Sequence, residues 1–401
     1  MLLSLAIIFI VGLSSASIFQ ALKLPRIIGM LATGIVVGPY LLDLLAPSIL
    51  NISSELRQIA LIIILVKAGL SLNLSDLKKV GRPAVMMSFL PACFEILGYF
   101  CFAPLLLGIN QMESAVMGAV LSAVSPAVVV PRMVKLIEEK YGTKKSIPQM
   151  ILAGASCDDI FVIVLFSTFV TMAQGGSAHV RDFVNIPVSI ILGIFLGITA
   201  GFIMYFIFET SYRQNHTIRN STKTVLILAV SFLLMTMEIW VKNYVALSGL
   251  LAVVAMSCVI KLKLEQSVSQ RLSEKFGKMW IAAEVILFVL VGAAVDIRYT
   301  MTAGLSALAI ILIALAFRAV GVFICILGTN LTIKERLFCV IAYLPKATVQ
   351  AAIGSVPLSL GLPCGKIVLS VAVLAILITA PLGAIGIDIS YKKVLSHDIS
   401  D

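Results

Sequence analysis

Asp158 and Asp159 are the residues best placed to do chemistry, adjacent in the run Gly154-Ala-Ser-Cys-Asp-Asp-Ile-Phe161. Neighbours on a helix point about 100° apart, so the two carboxylates cannot form the face-to-face dyad of an aspartic protease. One can meet a cation while the other meets a basic partner. A carboxylate in a partly dry site is neutralised by a proton or balanced by a cation, one at a time. A hard cation such as Na+ or Li+ then competes with H+ for a single group, which is the chemistry of exchange. Apolar runs flank the pair on both sides, so a solvated loop does not explain it.

Five more ionisable residues sit inside apolar runs: Lys67, Glu95, Glu284, Arg318 and Lys346. Each of the seven costs about 2.5–3.5 kcal/mol at the centre of a membrane helix, on the order of 20 kcal/mol together, unless they pair. Glu95 and Arg318 are expected to pair with each other. Lys67 and Glu284, at comparable depth, are expected to form a second, structural pair. Asp158, Asp159 and Lys346 then hold a net −1, which one monovalent cation or one proton neutralises. That sum predicts one-for-one, electroneutral exchange. Two prolines interrupt their runs: Pro126 follows Ser125, and Pro345 precedes Lys346. Proline removes a donor and frees a carbonyl one turn back, and such breaks persist in lipid where they line a cavity or are buried in protein. Freed carbonyls from Ser122 to Val124, with the Ser125 hydroxyl, suit a hard cation.

The elements that position these groups must cross a bilayer. Of 401 residues, 60% are hydrophobic and 12% charged, with a mean hydropathy of +1.09. Soluble domains run at about 45–50% and about 25%. The chain reads as an all-α polytopic membrane protein, since an open sheet would leave backbone groups unpaired in lipid. Polar breaks divide it into about thirteen spans: 2–22, 26–46, 57–74, 83–107, 112–136, 147–173, 185–209, 222–241, 244–262, 277–296, 302–328, 334–358 and 365–388. With the N-terminus outside and the C-terminus inside, alternate connections carry 22 against 5 lysines and arginines, the asymmetry expected of the cytoplasmic side. This also explains the net charge of +10 without invoking nucleic acid. No basic residue precedes the first apolar stretch, which suits an uncleaved first span. The last dozen residues are expected to act as no more than an anchor, with no nucleotide-binding regulatory domain. The seven cysteines, with no C-x-x-C pair, read as small buried thiols. The three histidines fall outside the spans, leaving none for an intramembrane proton relay.

An internal echo runs through the chain. Gly29-Met-Leu-Ala and Gly249-Leu-Leu-Ala lie 220 residues apart, Pro126 and Pro345 lie 219 apart, and Ile64-Leu-Val-Lys-Ala-Gly and Val289-Leu-Val-Gly-Ala-Ala lie 225 apart. Each match pairs a span with the one seven later. An odd shift reverses orientation, so the halves form an inverted repeat with interrupted helices near mid-membrane.

Four stretches resemble the cation/proton antiporter superfamily, specifically its NHA-type sodium/proton exchangers: Leu24-Pro-Arg-Ile-Ile-Gly-Met-Leu-Ala-Thr-Gly-Ile-Val-Val-Gly-Pro39, Ala123-Val-Ser-Pro-Ala-Val-Val-Val-Pro131, Ser156-Cys-Asp-Asp-Ile160 and Leu344-Pro-Lys-Ala-Thr-Val-Gln350. The resemblance implies a homodimer in the cell membrane with two crossing interrupted helices and no cofactor. It assigns residues 1–82 and 222–296 (spans 1–3 and 8–10) to a dimerisation scaffold, and 83–173 and 302–388 (spans 4–6 and 11–13) to a mobile ion-carrying core. Residues 185–209 link the two. It also implies Asp159 as the main ligand of Na+ or Li+, Asp158 as its neighbour, and the carbonyls of Val124 and Ala155 as further ligands. The Glu95–Arg318 pair is implied as well. Electrogenic relatives carry lysine at the Arg318 position, a departure that agrees with the charge sum.

Three other readings fit less well. Potassium/proton exchange uses the same ligands, because carboxylates and carbonyls do not by themselves fix the ion. An intramembrane aspartyl protease needs carboxylates on two facing helices. A channel needs a continuous polar lining or charge rings. The protein is therefore expected to be a transporter and not an enzyme.

Overall fold

The computed structural model describes all residues except 72–80, 175–179, 214–217, 242–244, 246 and 398–401. It folds as two compact units, one of residues 1–54, 73–162 and 285–401, the other of 55–72 and 163–284. Among the described residues there is no strand, only an isolated bridge between Tyr141 and His397. Among the described residues each expected span overlaps a helix or a group of helices, although the second, 26–46, is helical only over Arg26–Val37 before it gives way to turns. Nine of the described helical segments are long and apolar enough to cross a bilayer.

The helices of the first unit are α1 (Leu2–Ala21), α2 (Arg26–Val37), α3 (Pro47–Asn51) and the start of α4 (Ser53–Ser71), then α5 (Arg82–Met87), α6 (Leu90–Leu107), α7 (Gln111–Leu121), α8 (Pro126–Glu138) and the first part of α9 (Ile147–Gln174). In the second unit α10 (Val180–Arg213), α11 (Asn220–Val241), α12 (Gly249–Lys263) and most of α13 (Gln266–Ala293) follow. The chain returns to the first unit for α14 (Ile297–Cys325), α15 (Ile333–Ala342), α16 (Thr348–Gly354), α17 (Val356–Ser359) and α18 (Gly365–Val394).

Small residues let these helices approach closely, the packing that lipid favours when no hydrophobic force distinguishes helix from solvent. In the second unit Gly193, Gly197 and Gly201 recur every fourth residue along α10 and lie against Ser248, which caps α12, and residues of α12 as far as Val259. In the first unit α6 and α14 meet at two glycines. A Cβ at Gly98 would sit 3.2 Å from Ala314 Cα, and one at Gly321 would sit 2.8 Å from Pro91 Cα. Those pairings run in opposite directions along the two helices, so α6 and α14 are antiparallel. Glu95 lies three residues before Gly98 and Arg318 three before Gly321, on the same helical faces. The glycines thus bring the two charges together.

Outward-facing side chains are apolar, as lipid requires: Leu105 is 80% exposed and Leu305 88%. So many large apolar side chains exposed on the surface suit lipid rather than water. The cysteines divide: Cys325, Cys339 and Cys364 are buried, whereas Cys101 lies on the exterior. The expectation of seven buried thiols is corrected there, because the site faces outward on α6. His397 packs on the Tyr141 ring; His179 and His216 lie outside the described residues.

Candidate functional site

Two helical segments are built alike. In the first, α7 and α8 are separated by Ser122-Ala-Val-Ser125; in the second, α15 and α16 are separated by Tyr343-Leu-Pro-Lys-Ala347. Each begins with a reciprocal cap. The Asn110 side chain accepts from Glu113 N–H at 2.8 Å while Glu113 accepts from Asn110 N–H at 2.9 Å. Thr332 and Glu335 do the same at 3.3 and 2.7 Å. The caps lie 222 residues apart, within the spread of the sequence echo. Capping boxes satisfy two orphan donors at a helix start, so both segments enter on the same local signal.

Pro126 starts α8, where its missing N–H costs nothing. In a continuous helix its ring would collide with the Ser122 carbonyl; instead the helix is interrupted for four residues, ending at an extended Ser125. Pro345 lies within the second break, and its ring packs against Gly383 of α18. The breaks touch directly. Ser125 N–H donates to the Pro345 carbonyl at 2.8 Å, and the Ser125 hydroxyl stands 3.5 Å from that of Thr348.

Side chains then claim the carbonyls that the breaks free. Arg318 donates to the Ser122 and Tyr343 carbonyls. Gln350 Nε2 donates to Ala123 O at 2.7 Å, and Gln350 Oε1 accepts from Ala347 N–H at 2.8 Å. The Ser125 carbonyl accepts from Val128 and Val129. Among the described residues no donor reaches the Val124 carbonyl. The Val124 N–H donates to Asp158 Oδ2 at 2.7 Å, which places this break beside the aspartates of α9.

The charges form one buried network. Arg318 Nη1 lies 2.8 Å from Glu95 Oε2, as expected, and Nη2 lies 3.2 Å from Asp158 Oδ2. Lys346 Nζ lies 2.6 Å from the same Glu95 oxygen. The structure therefore corrects one grouping. Lys346 is held by Glu95 and does not pair with the aspartates, while Arg318 spans both acids because its forked guanidinium offers donors in several directions. Glu95, Asp158, Arg318 and Lys346 balance to zero, and Asp159 is the remaining charge. Asp158 is fully buried and Asp159 half-buried; Oδ1 of each is shielded and accepts no hydrogen bond. Ala155 lies one turn before Asp159, fully buried. In the second unit Lys67 and Glu284 are both half-buried.

Gln350, Thr348 and Tyr343 were not singled out by residue type in the sequence. The available signal was position: Gln350 is an uncharged polar residue one turn after the second break, fully buried in an apolar run. Thr379, which accepts from Lys346 N–H at 2.9 Å, gave no sequence signal at all.

Interrupted helices that cross, a charge network between them and an apolar exterior define a polytopic membrane protein of the secondary-transporter class. The sequence profile of the family described as "Sodium/hydrogen exchanger, transmembrane" matches residues 5–392. The chain is 33% identical to sodium/hydrogen exchanger 9B2 of Xenopus tropicalis, over 87% of this chain and 65% of that protein. It is 32% identical to sodium/hydrogen exchanger 9B2 of Mus musculus, over 98% of this chain and 74% of that protein. It thus spans just under two thirds of the first relative's length and about three quarters of the second's. The structure of the sodium proton antiporter MjNhaP1 from Methanocaldococcus jannaschii superposes with a TM-score of 0.82 at 20% identity, covering 97% of each chain. The chain belongs to the sodium/hydrogen exchanger family, a family of transporters and not of enzymes, and its fold is the antiporter fold.

Proposed function

We propose that this protein exchanges Na+, or Li+, for H+ across the cell membrane, one for one and electroneutrally, by alternating access. The proton and the metal ion compete at Asp159, with Asp158 and the Val124 carbonyl beside it and Ser125 and Ala155 completing the surroundings. The reading rests on one observation above others: Asp158 and Asp159 each keep a shielded oxygen that accepts no hydrogen bond, next to a helix break with an unclaimed carbonyl. Oxygen donors without protons of their own are what a hard cation takes. In the ion's absence a proton satisfies the same need.

The transporting assembly is a homodimer of chains with thirteen spans, N-terminus outside and C-terminus inside. Residues 83–173 and 302–388 move against 1–82 and 222–296, with 185–209 joining them. Fixed charge within a network that sums to zero can cross with its helices at little electrostatic cost, leaving Asp159 to carry one cation or one proton in each direction.

Purified protein in liposomes holding an internal pH dye tests this. External Na+ or Li+ should change the internal pH, and Asp159→Asn should abolish the change. A potassium–valinomycin clamp should leave the rate unaltered. A normal rate in Asp159→Asn would overturn the site, and a response to K+ in place of Na+ would replace the cargo.

A further inference from the structure

Gln350 has no charge, and titration plays no part in what it does, yet it is fully buried at the crossing of the two breaks. Its amide uses both ends. Nε2 donates to Ala123 O at 2.7 Å and reaches Leu121 O at 3.4 Å, while Oε1 accepts from Ala347 N–H at 2.8 Å. One side chain thus ties the first break to the second.

The four carbonyls of the first break have different fates. That of Ser122 is taken by the Arg318 guanidinium, that of Ala123 by Gln350, and that of Ser125 by the start of α8. Only Val124 is left among the described residues, and its own N–H is fixed on Asp158. A carbonyl already accepting a short hydrogen bond is a weaker cation ligand, because the donor's positive end takes one of its two lone pairs and repels the ion. Coordination number and cavity rigidity are what separate small hard cations from larger ones.

From this we infer that Gln350 is a specificity-determining residue: by engaging Ala123 O and cross-linking the breaks, it keeps that carbonyl out of the ion's ligand set. The ion site is then small and rigid, with the Val124 carbonyl as the first break's one backbone ligand. Gln350 does not touch the ion; it is a positioning residue acting through two backbone strands. Releasing Ala123 O adds a second carbonyl and loosens the crossing, which favours a larger cation with a longer coordination sphere.

This inference rests on the exchange reading, and the test separates the two. The full-length protein is prepared as wild type, Gln350→Ala and Gln350→Met, the last keeping bulk while removing both hydrogen-bonding ends. Two readouts are taken for Na+, Li+ and K+: the apparent KM for exchange in liposomes, and the concentration of each ion that half-saturates thermal stabilisation in detergent. The second works for a variant that transports poorly. Both variants should lower the K+-to-Na+ ratio of half-saturating concentrations about tenfold, the scale of one hydrogen bond's net worth. A variant that loses only Tm or maximal rate, with the ion ratios of wild type, would overturn the inference and leave the exchange reading intact. Wild type with neither cation-driven pH change nor cation stabilisation would overturn the exchange reading and the inference with it.

Discussion

Replacing Arg318 by alanine should unfold the charge network, and the structure says by how much. The guanidinium is fully buried and holds the carbonyls of Ser122 and Tyr343, the Glu95 carboxylate at 2.8 Å and the Asp158 carboxylate at 3.2 Å. Glu95 is the lesser loser, because Lys346 still meets it at 2.6 Å. Asp158 keeps only the Val124 N–H. Stranding a buried charge costs about 3–5 kcal/mol, and each orphaned carbonyl about 1–3 kcal/mol. The total is on the order of 5–10 kcal/mol. With an unfolding entropy of about 2.1 cal/mol/K per residue, 401 residues lose about 6–12 °C in Tm for that amount. The assay is a melting curve of the purified protein, repeated on the double variant Arg318→Ala, Asp158→Asn. The asparagine retains an acceptor for Val124 N–H but no charge, so it should recover about half of the loss. A double variant no more stable than Arg318→Ala would refute the argument that Asp158 is the stranded group. Unchanged melting in Arg318→Ala would refute the network itself.

Two further outcomes follow from packing and from the surface. Gly321→Val should cost about 1–3 kcal/mol through overpacking, since its Cβ would lie 2.8 Å from Pro91 Cα and 3.1 Å from Phe94 Cβ, backbone and root atoms that cannot swing aside. It should also weaken the Glu95–Arg318 approach; a melting temperature within a degree of wild type would count against close α6–α14 contact. Arg132→Ala removes an ion pair to Asp388 at 3.1 Å whose partners are 20% and 47% exposed. It should change stability by under about 1 kcal/mol and lose even that in high salt, and a loss of several degrees insensitive to salt would contradict that.

Much of this was legible in the sequence for definable reasons. Helices in lipid must be continuous apolar runs, so the run boundaries near 2, 26, 147 and 365 fall within a few residues of α1, α2, α9 and α18. The cost of burying charge makes Glu95 and Arg318 partners from the sequence alone. Prolines flagged both breaks. The allocation of Lys346 was not legible, because residue spacing says which groups are buried but not which of two acids a long flexible side chain reaches. Gln350 and Thr379 were hidden for a different reason: uncharged polar residues are common in membrane helices, and their meaning depends on backbone groups that only the fold exposes. The repeat was visible as a faint echo of apolar words, whereas its physical content, two capped half-helices each leading into a break, needed hydrogen bonds to see.

The corrected allocation of Lys346 changes what the charge sum behind the proposed stoichiometry means. With Lys346 beside the aspartates, a site of net −1 could lose a proton from either the lysine or an acid, and one-for-one exchange would require the ammonium to stay charged throughout. With Lys346 on Glu95 and Arg318 on Asp158, each base has an acid within 3.2 Å, and the proposed one-for-one exchange then assigns the changing charge to Asp159. Asp158 Oδ2 is further committed to the Val124 N–H, while Asp159 accepts no hydrogen bond from the described residues. Of the two adjacent carboxylates, only Asp159 is left without a fixed partner. On the proposed reading, that carboxylate takes its partner from solution, one sodium ion or one proton at a time.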